Sequence, residues 1–168
     1  MKIKEGHKLN LPKLPSTFGS LDVERYKNKW SVLFFYHKDF AAGCQLDFEV
    51  FLKSYQKLKS LGAELIGVSP DPLEQHFKFA VEKGISFELV SDTNGKLASM
   101  FNALKSKNPL YFKKKAFLIS PNLIVLKSYD GKKTALYPLE IIYDIEFLLN
   151  FLSKQNDSEI TLVFNDSY

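Results

Sequence analysis

Cysteine is nearly absent from this sequence, which contains a single one, Cys44, among 168 residues. One cysteine excludes an intramolecular disulfide and the C-x-x-C motif of dithiol oxidoreductases. Together with three scattered histidines, it also gives no zinc-ligand spacing. The sequence has no G-x-S-x-G elbow and no phosphate-binding glycine loop. It therefore predicts neither a metal nor another cofactor, and any thiol chemistry falls to Cys44.

Long apolar runs and a strong excess of one charge are missing as well. No run approaches the roughly 18 residues that cross a membrane, and residues 1–15 hold no apolar stretch typical of a signal peptide. These features predict a cytoplasmic protein that does not contact membranes. The net charge of +4 is spread along the chain. Its densest cluster, Lys113–Lys115, is interpreted as a solvated strand edge rather than a nucleic-acid site.

The composition is that of a packed globular protein, with 45% hydrophobic and 25% charged residues. Neither an internal repeat nor a long linker interrupts the chain. The length is that of one ordinary domain, so residues 1–168 are predicted to form one domain. The tail, residues 158–168, contains the apolar segment ITLVF, which is expected to add an edge strand or to pack on a partner.

The hydrophobic pattern predicts the order β-α-β-α-β-α-β-β-α. Strands are predicted at residues 30–36, 64–69, 87–90, 115–119 and 124–129. Helices are predicted from Cys44 to a stop at Gly62, from Leu73 to Gly84, from about Asp92, and from Pro138. Strands that alternate with helices indicate a parallel core sheet, and the late hairpin adds an antiparallel edge. The predicted fold class is α/β, thioredoxin-like, with a central mixed sheet flanked by helices.

The spacing of apolar residues also predicts which helix faces are buried. In the second helix the predicted face is Leu73, Phe77, Ala80 and Val81. In the third helix it is Leu97, Met100, Phe101 and Leu104, and a polar loop follows. In the last helix it is Ile141, Ile142, Ile145, Leu148, Leu149 and Leu152. His7 and His76 are interpreted as structural.

Cys44 lies between the loop that leaves a buried strand and a predicted helix. This position puts it in the first helical turn, where unpaired backbone N–H groups and the helix dipole favour a thiolate. Gly43, directly before it, leaves room for a small substrate to approach the backbone. The residues alone leave two interpretations open, which are a reactive thiol and a buried structural cysteine.

The stretch FFYHKDFAAGCQLDFEVFLKSYQKLKSLGAELIGVSPD resembles the active-site region of peroxiredoxins, and most closely the bacterioferritin comigratory protein subgroup. The likeness continues through SDTNGKLA and AFLISPNLIVLKSY and covers about residues 21–152. It rests on the ordered appearance of Lys38-Asp39, Gly43-Cys44, GVSPD and SDTNGKLA.

The resemblance implies that Cys44 attacks a hydroperoxide, becomes a sulfenic acid and is then reduced by a thiol. The subgroup often has a resolving cysteine five residues further on, where this chain has Glu49. The resemblance therefore implies an external thiol reductant, either thioredoxin-like or small. It leaves a homodimer open.

This chain departs from the family motif at three positions. His37 replaces a proline, Ala41 replaces a threonine or serine whose hydroxyl binds the peroxide, and Lys114 replaces an arginine. Lys114 is expected to lower the pKa of Cys44. His37, Ala41 and Gly43 are expected to line the substrate pocket, with His37 adding a charge or a hydrogen bond if it turns inward. The alternatives are an inactive binding module of the same fold, and a redox sensor in which oxidised Cys44 forms a mixed disulfide.

Overall fold

The computed structural model describes residues 2–132 and 137–152, and leaves the side chains of residues 42–47 undescribed. Its strands are β1 (Pro15–Ser16), β2 (Gly19–Ser20), β3 (Trp30–Phe35), β4 (Ala63–Ser69), β5 (Glu88–Ser91), β6 (Leu104–Lys107), β7 (Leu110–Phe112), β8 (Lys115–Ile119) and β9 (Val125–Asp130). Its helices are α1 (Ala42–Ser60), α2 (Leu73–Lys83), α3 (Lys96–Met100) and α4 (Tyr137–Leu152), with a 3-10 turn at Val23–Tyr26. The tail at 158–168 lies outside the described residues.

Seven strands form one mixed sheet in the order β2-β1-β5-β4-β3-β8-β9. The centre is parallel, with Trp30 opposite Ala63 in the β3–β4 pair and Ile66 opposite Glu88 in the β4–β5 pair. The β8–β9 hairpin continues the sheet in antiparallel fashion from β3. This arrangement confirms the predicted thioredoxin-like α/β fold. No described helix is both long enough and apolar enough to cross a bilayer.

Side chains of β3 alternate between two hydrophobic cores, because neighbouring residues of a strand point to opposite faces. Phe34 stacks on Phe51 of α1 with ring centroids 4.5 Å apart, on the face that α4 also covers. Phe35 points to the other face, where it packs near Phe101. All six residues of β3 are buried, as the apolar run WSVLFF predicts for a strand covered on both sides.

The buried face of α2 differs from the prediction. His76 and Phe79 are the buried residues of this helix, whereas Phe77 is 47% exposed and Val81 is 84% exposed. The apolar spacing of Phe77 and Val81 was therefore a wrong guide. The polar His76 is buried instead because it has a charged partner in the core, described below.

The third helix is shorter than predicted. It begins at Lys96 with Gly95 as the N-cap, and the Asp92 carboxylate accepts hydrogen bonds from the backbone N–H groups of Leu97 and Ala98. Burial raises the pKa of Asp92, while these same hydrogen bonds act against the rise. The helix ends at Met100, because Asn102 adopts a left-handed conformation with φ of 54°. Leu104 consequently starts a strand, and the predicted polar loop is in fact the separate β6–β7 hairpin.

The interpretation of Lys113–Lys115 as a strand edge is also wrong. Lys115 begins β8, which lies between β3 and β9, where it is opposite Phe35 on one side and Asp130 on the other. Burial, followed by the charge of Lys113, lowers the pKa of Lys115. Lys114, directly before the strand, contributes to a cavity instead.

Candidate active site

The loop from Tyr36 to Ala41 joins β3 to α1 and carries most of the predicted site residues. Ala41 is the N-cap of α1, and no side chain accepts a hydrogen bond at this cap. Gly43 and Cys44 are the second and third residues of the helix. The backbone therefore confirms that Cys44 lies in the first helical turn, although the helix begins two residues earlier than predicted. Their side chains lie outside the described part of the structure.

Below this loop is a group of buried polar side chains, which we name the Asp39 cluster: Tyr36, Asp39, Ser69, Asp71 and His76. The Asp39 carboxylate accepts hydrogen bonds from the Tyr36 hydroxyl at 2.6 Å and from His76 Nδ1 at 2.7 Å. His76 Nε2 lies 3.1 Å from the carbonyl oxygen of Val90. Each ring nitrogen of His76 therefore lies beside an oxygen that can accept a hydrogen bond. The buried Asp39 is thus paired and hydrogen-bonded, as a charge in a core must be.

The second carboxylate of the cluster fixes the backbone of the loop. Asp71 Oδ2 accepts hydrogen bonds from the Asp39 N–H at 2.8 Å and from the Ser69 hydroxyl at 2.6 Å. The Ser91 hydroxyl donates to the Asp71 carbonyl oxygen at 2.5 Å. The ends of β4 and β5 and the helix α2 are thereby all connected to the loop that precedes Cys44.

Two properties define the chemistry of the Asp39 cluster. Burial, followed by the charge of Asp39, raises the pKa of Tyr36 well above its usual value, so Tyr36 remains a neutral donor. Ligand atoms of Asp39, Asp71 and His76 lie within 4.8 Å of one another, a spacing compatible with a metal ion. Because each of these groups is already hydrogen-bonded within the protein, we interpret the cluster as structural.

Above the loop is a cavity of about 480 Å³, which we name the cationic cavity. Its lining residues come from the loop, the β6–β7 hairpin and the segments around β8 and β9: His37, Ala41, Lys105, Tyr111, Phe112, Lys113, Lys114, Gly131 and Lys132. Three predicted site residues, His37, Ala41 and Lys114, are therefore brought together. None of the lining residues that the structure describes is acidic.

His37 forms one wall of the cationic cavity. Its ring stacks on Tyr111 with centroids 3.8 Å apart, and the Tyr111 ring also lies 5.0 Å from the Lys105 ammonium nitrogen. Burial lowers the pKa of His37, which the charge of Lys38 reinforces and that of Asp71 opposes. The ring is therefore mainly neutral near pH 7. It does not supply the positive charge considered from the sequence, and its buried Nδ1 has no hydrogen-bond partner among the described residues.

Lys114 is held at the cavity by the end of β9. The N–H of Gly131 donates to the Lys114 carbonyl oxygen at 2.8 Å. A Cβ atom at position 131 would lie 2.6 Å from Cβ of Lys114, so only glycine permits this approach. Lys105, Tyr111 and Lys132 are not among the site residues that the sequence predicts, because the polar sequence of the β6–β7 hairpin, which carries Lys105 and Tyr111, is typical of a loop.

Comparisons with known proteins agree with this geometry. The model of the AhpC/TSA family matches residues 6–128, which is most of the chain. The chain is a member of the AhpC/TSA family of peroxiredoxins. It is 35% identical to peroxiredoxin Bcp of Xanthomonas campestris over 121 residues, which cover 67% of this chain and 74% of that protein. It is 37% identical to peroxiredoxin Bcp of Bacillus subtilis over 108 residues, which cover 64% and 69%.

Solved peroxiredoxin structures share the fold of this chain. A structure of Xanthomonas campestris peroxiredoxin Q superimposes with a TM-score of 0.74 at 26% identity, covering 82% of this chain and 91% of that one. The recognition made from Lys38-Asp39, Gly43-Cys44 and GVSPD is therefore confirmed, and with it the class of thiol-dependent peroxidases.

Proposed function

We propose that this peroxiredoxin reduces hydrogen peroxide or organic hydroperoxides with Cys44 as its only redox-active residue. The observation that supports this assignment best is the position of Cys44 in the first turn of α1, three residues after Ala41, which lines the cationic cavity. The uncapped start of the helix and the lysines of the cavity both favour a thiolate over a thiol.

The proposed cycle has three steps. In the first, the Cys44 thiolate attacks the terminal oxygen of ROOH, the O–O bond breaks, and the products are Cys44–SOH and, after protonation, ROH. In the second, an external thiol R′SH attacks Cys44–SOH and releases water to give Cys44–S–S–R′. A second R′SH then releases the Cys44 thiol and R′SSR′. Lys114 acts in the first step by stabilising the thiolate and the negative charge that develops on the leaving oxygen.

The test is a stopped-flow measurement of the reduced protein with hydrogen peroxide, read out as sulfenic acid at Cys44 by mass spectrometry. We expect a rate constant at least about 100-fold above that of free cysteine, since one preorganised electrostatic contact alone is typically worth that factor. The Cys44→Ser variant is the control and should show no peroxide consumption. A wild-type rate equal to that of free cysteine would refute the proposed peroxidase.

Ala41 favours a second candidate, a binding module that retains the fold without efficient catalysis. The family hydroxyl at this position binds the peroxide, and the methyl group of Ala41 has no donor to replace it. The same stopped-flow measurement distinguishes the two candidates. A redox sensor, the remaining alternative, would instead yield a Cys44-dependent mixed disulfide with another protein after mild oxidation.

A further inference from the structure

We infer that the cationic cavity binds a small thiol that carries carboxylate groups, and that this thiol is the direct reductant of oxidised Cys44. The inference rests on the proposed function, because it concerns the second step of that cycle. It selects a small anionic thiol over a thioredoxin-like protein as the electron donor.

The first argument is charge. Four of the lining residues are lysines, namely Lys105, Lys113, Lys114 and Lys132, and no carboxylate lies among the lining residues that the structure describes. Like charges in one concavity repel each other and concentrate anions there. The neighbouring Asp130 accepts a hydrogen bond from the backbone N–H of Lys132 and is not a lining residue. The cavity is therefore complementary to a ligand with more than one negative charge.

The second argument is that two of the lysines are oriented without being neutralised. Lys105 lies over the Tyr111 ring, which is itself stacked on His37. Lys113 donates a hydrogen bond to the carbonyl oxygen of Asn102 at 3.3 Å. A ring face and a carbonyl oxygen hold an ammonium group in place but leave its full charge available to a ligand.

The third argument is size and polarity. A volume of about 480 Å³ falls within the range of small-molecule sites, roughly 300–1,000 Å³. Its walls combine the aromatic rings of Tyr111 and Phe112 and the imidazole of His37 with the lysine side chains. Such a mixture of apolar surface and a few polar groups suits a small organic anion.

The reduction step requires the bound thiol to reach the sulfur atom of Cys44. Without a second cysteine in the chain, the thiol must form the bond to Cys44 directly: Cys44–SOH and R′SH give Cys44–S–S–R′ and water. Because Ala41 lines the cavity and Cys44 follows three residues later, a thiol anchored by its carboxylates at the lysines has a short path to the first turn of α1.

The experiment uses the full chain, pre-oxidised with hydrogen peroxide to the sulfenic acid, and a series of thiols that differ mainly in charge. The series is cysteamine (positive), mercaptoethanol (neutral), mercaptopropionate (singly negative) and mercaptosuccinate (doubly negative). Single-turnover reduction is followed by mass spectrometry, and each rate constant is divided by the thiolate fraction. At low ionic strength we expect this corrected rate constant to be at least about tenfold higher for mercaptosuccinate than for mercaptoethanol. At about 0.5 M salt the rate constants of the four thiols should become similar.

A pair of charge-reversal variants locates the effect. Lys105→Glu should reduce the mercaptosuccinate-to-mercaptoethanol ratio at least about threefold, since it replaces an attraction in the cavity by a repulsion. Lys83→Glu, in the last turn of α2 and away from the lining residues, is the matched control and should leave the ratio unchanged. An equal response of both variants would mean that net charge, not the cavity, sets the rate.

Three results would overturn the inference while leaving the peroxidase intact. In the first, Cys44 is oxidised rapidly but its reduction rate does not depend on the charge of the thiol. In the second, only a thioredoxin reduces it efficiently. In the third, the preference for negative charge is found only with carboxylate-bearing hydroperoxides in the oxidation step. Oxidation of Cys44 by hydrogen peroxide no faster than that of free cysteine would instead refute the proposed function. The sulfenic acid can then still be prepared with excess peroxide, so the thiol series remains informative.

Discussion

The two sides of the loop from Tyr36 to Ala41 deal with charge in opposite ways. On the inner side, Asp39 is 2% exposed and His76 is fully buried, and each charged group has a partner at hydrogen-bond distance. On the outer side, the lysines of the cationic cavity share one sign. Within six residues, the loop directs Tyr36 and Asp39 inward, and His37 and Ala41 outward.

This difference separates stability from reactivity. A charge buried in the folded protein is costly unless it is paired, so the Asp39 cluster is complete within the protein and fixes the loop. The lysines of the cationic cavity lie at the loop that leads into the first turn of α1, and none of the described lining residues is acidic. We therefore expect substitutions on the inner side to change mainly the free energy of unfolding, and substitutions on the outer side to change mainly rates.

The largest expected effect is on the inner side. His76→Leu removes one partner of the buried pair and leaves the Asp39 carboxylate with the Tyr36 hydroxyl as its only side-chain partner in the described structure. Loss of one partner from a buried pair typically costs about 3–5 kcal/mol. Urea unfolding measures this loss in the free energy of unfolding.

The matched control for this variant is Glu74→Gln, on the same helix. It breaks the exposed Glu74–Lys78 pair, which spans 3.6 Å, and should change the free energy of unfolding by less than about 0.5 kcal/mol. If His76→Leu cost no more than the control, the Asp39 cluster would not stabilise the loop.

The next effect is on the outer side, at the start of α1. Ala41→Thr restores the hydroxyl of the family motif, and we expect the rate of Cys44 oxidation by hydrogen peroxide to rise at least about tenfold, since such donors stabilise developing charge. Ala41→Val has the same shape without the donor and should give no increase. Because threonine also caps the helix, urea unfolding should show a separate gain of about 1 kcal/mol. Equal rates for the two variants would remove the hydroxyl from the explanation.

The smallest effect concerns the stack of His37 on Tyr111. Tyr111→Leu uncovers the imidazole, so the pKa of His37 should rise toward its ordinary value near 6.5, as followed by NMR titration. Tyr111→Phe keeps the aromatic ring and should leave that pKa where it is in the wild type. An unchanged pKa in the leucine variant would mean that Tyr111 is not the group that desolvates His37.

The sign of the pH dependence follows from the lowered pKa of His37 in the folded protein. The unfolded chain binds a proton here more readily than the folded one, so the contribution of His37 to stability is present above about pH 6.5 and is lost as the pH falls through the folded-state value. The Tyr111→Leu variant should show a weaker loss over the same window.

The sequence was a good guide where one apolar face of an element meets one core. Ile141, Ile145 and Leu148 follow the helical period of α4, and all three are buried as predicted. The hairpin of β8 and β9 was recognised because Pro121 and Asn122 separate two β-branched and aromatic runs. In these elements local preference and tertiary burial favour the same side chains.

The sequence was a poor guide where the burial of a residue depends on a partner far away in the chain. In α2, Phe77 and Val81 have the spacing of a buried stripe, and only the fold reveals that His76 meets Asp39, 37 residues earlier in the chain. The β6–β7 hairpin was not predicted because Lys105 and Lys107 give its sequence the polarity of a loop. The Cys44 region was recognisable because its helix start and its motif are local, whereas the cavity walls come from segments far apart in sequence.

The β6–β7 hairpin is a sheet of its own, joined to the seven-stranded sheet by side-chain packing rather than by a shared ladder of hydrogen bonds. Changes in the length or the side chains of this hairpin would therefore alter one wall of the cationic cavity without changing the register of any strand in the seven-stranded sheet. The residues that would choose a ligand and the residues that hold the central sheet together thus lie in different segments of the chain. The first set can be substituted while the second stays unchanged.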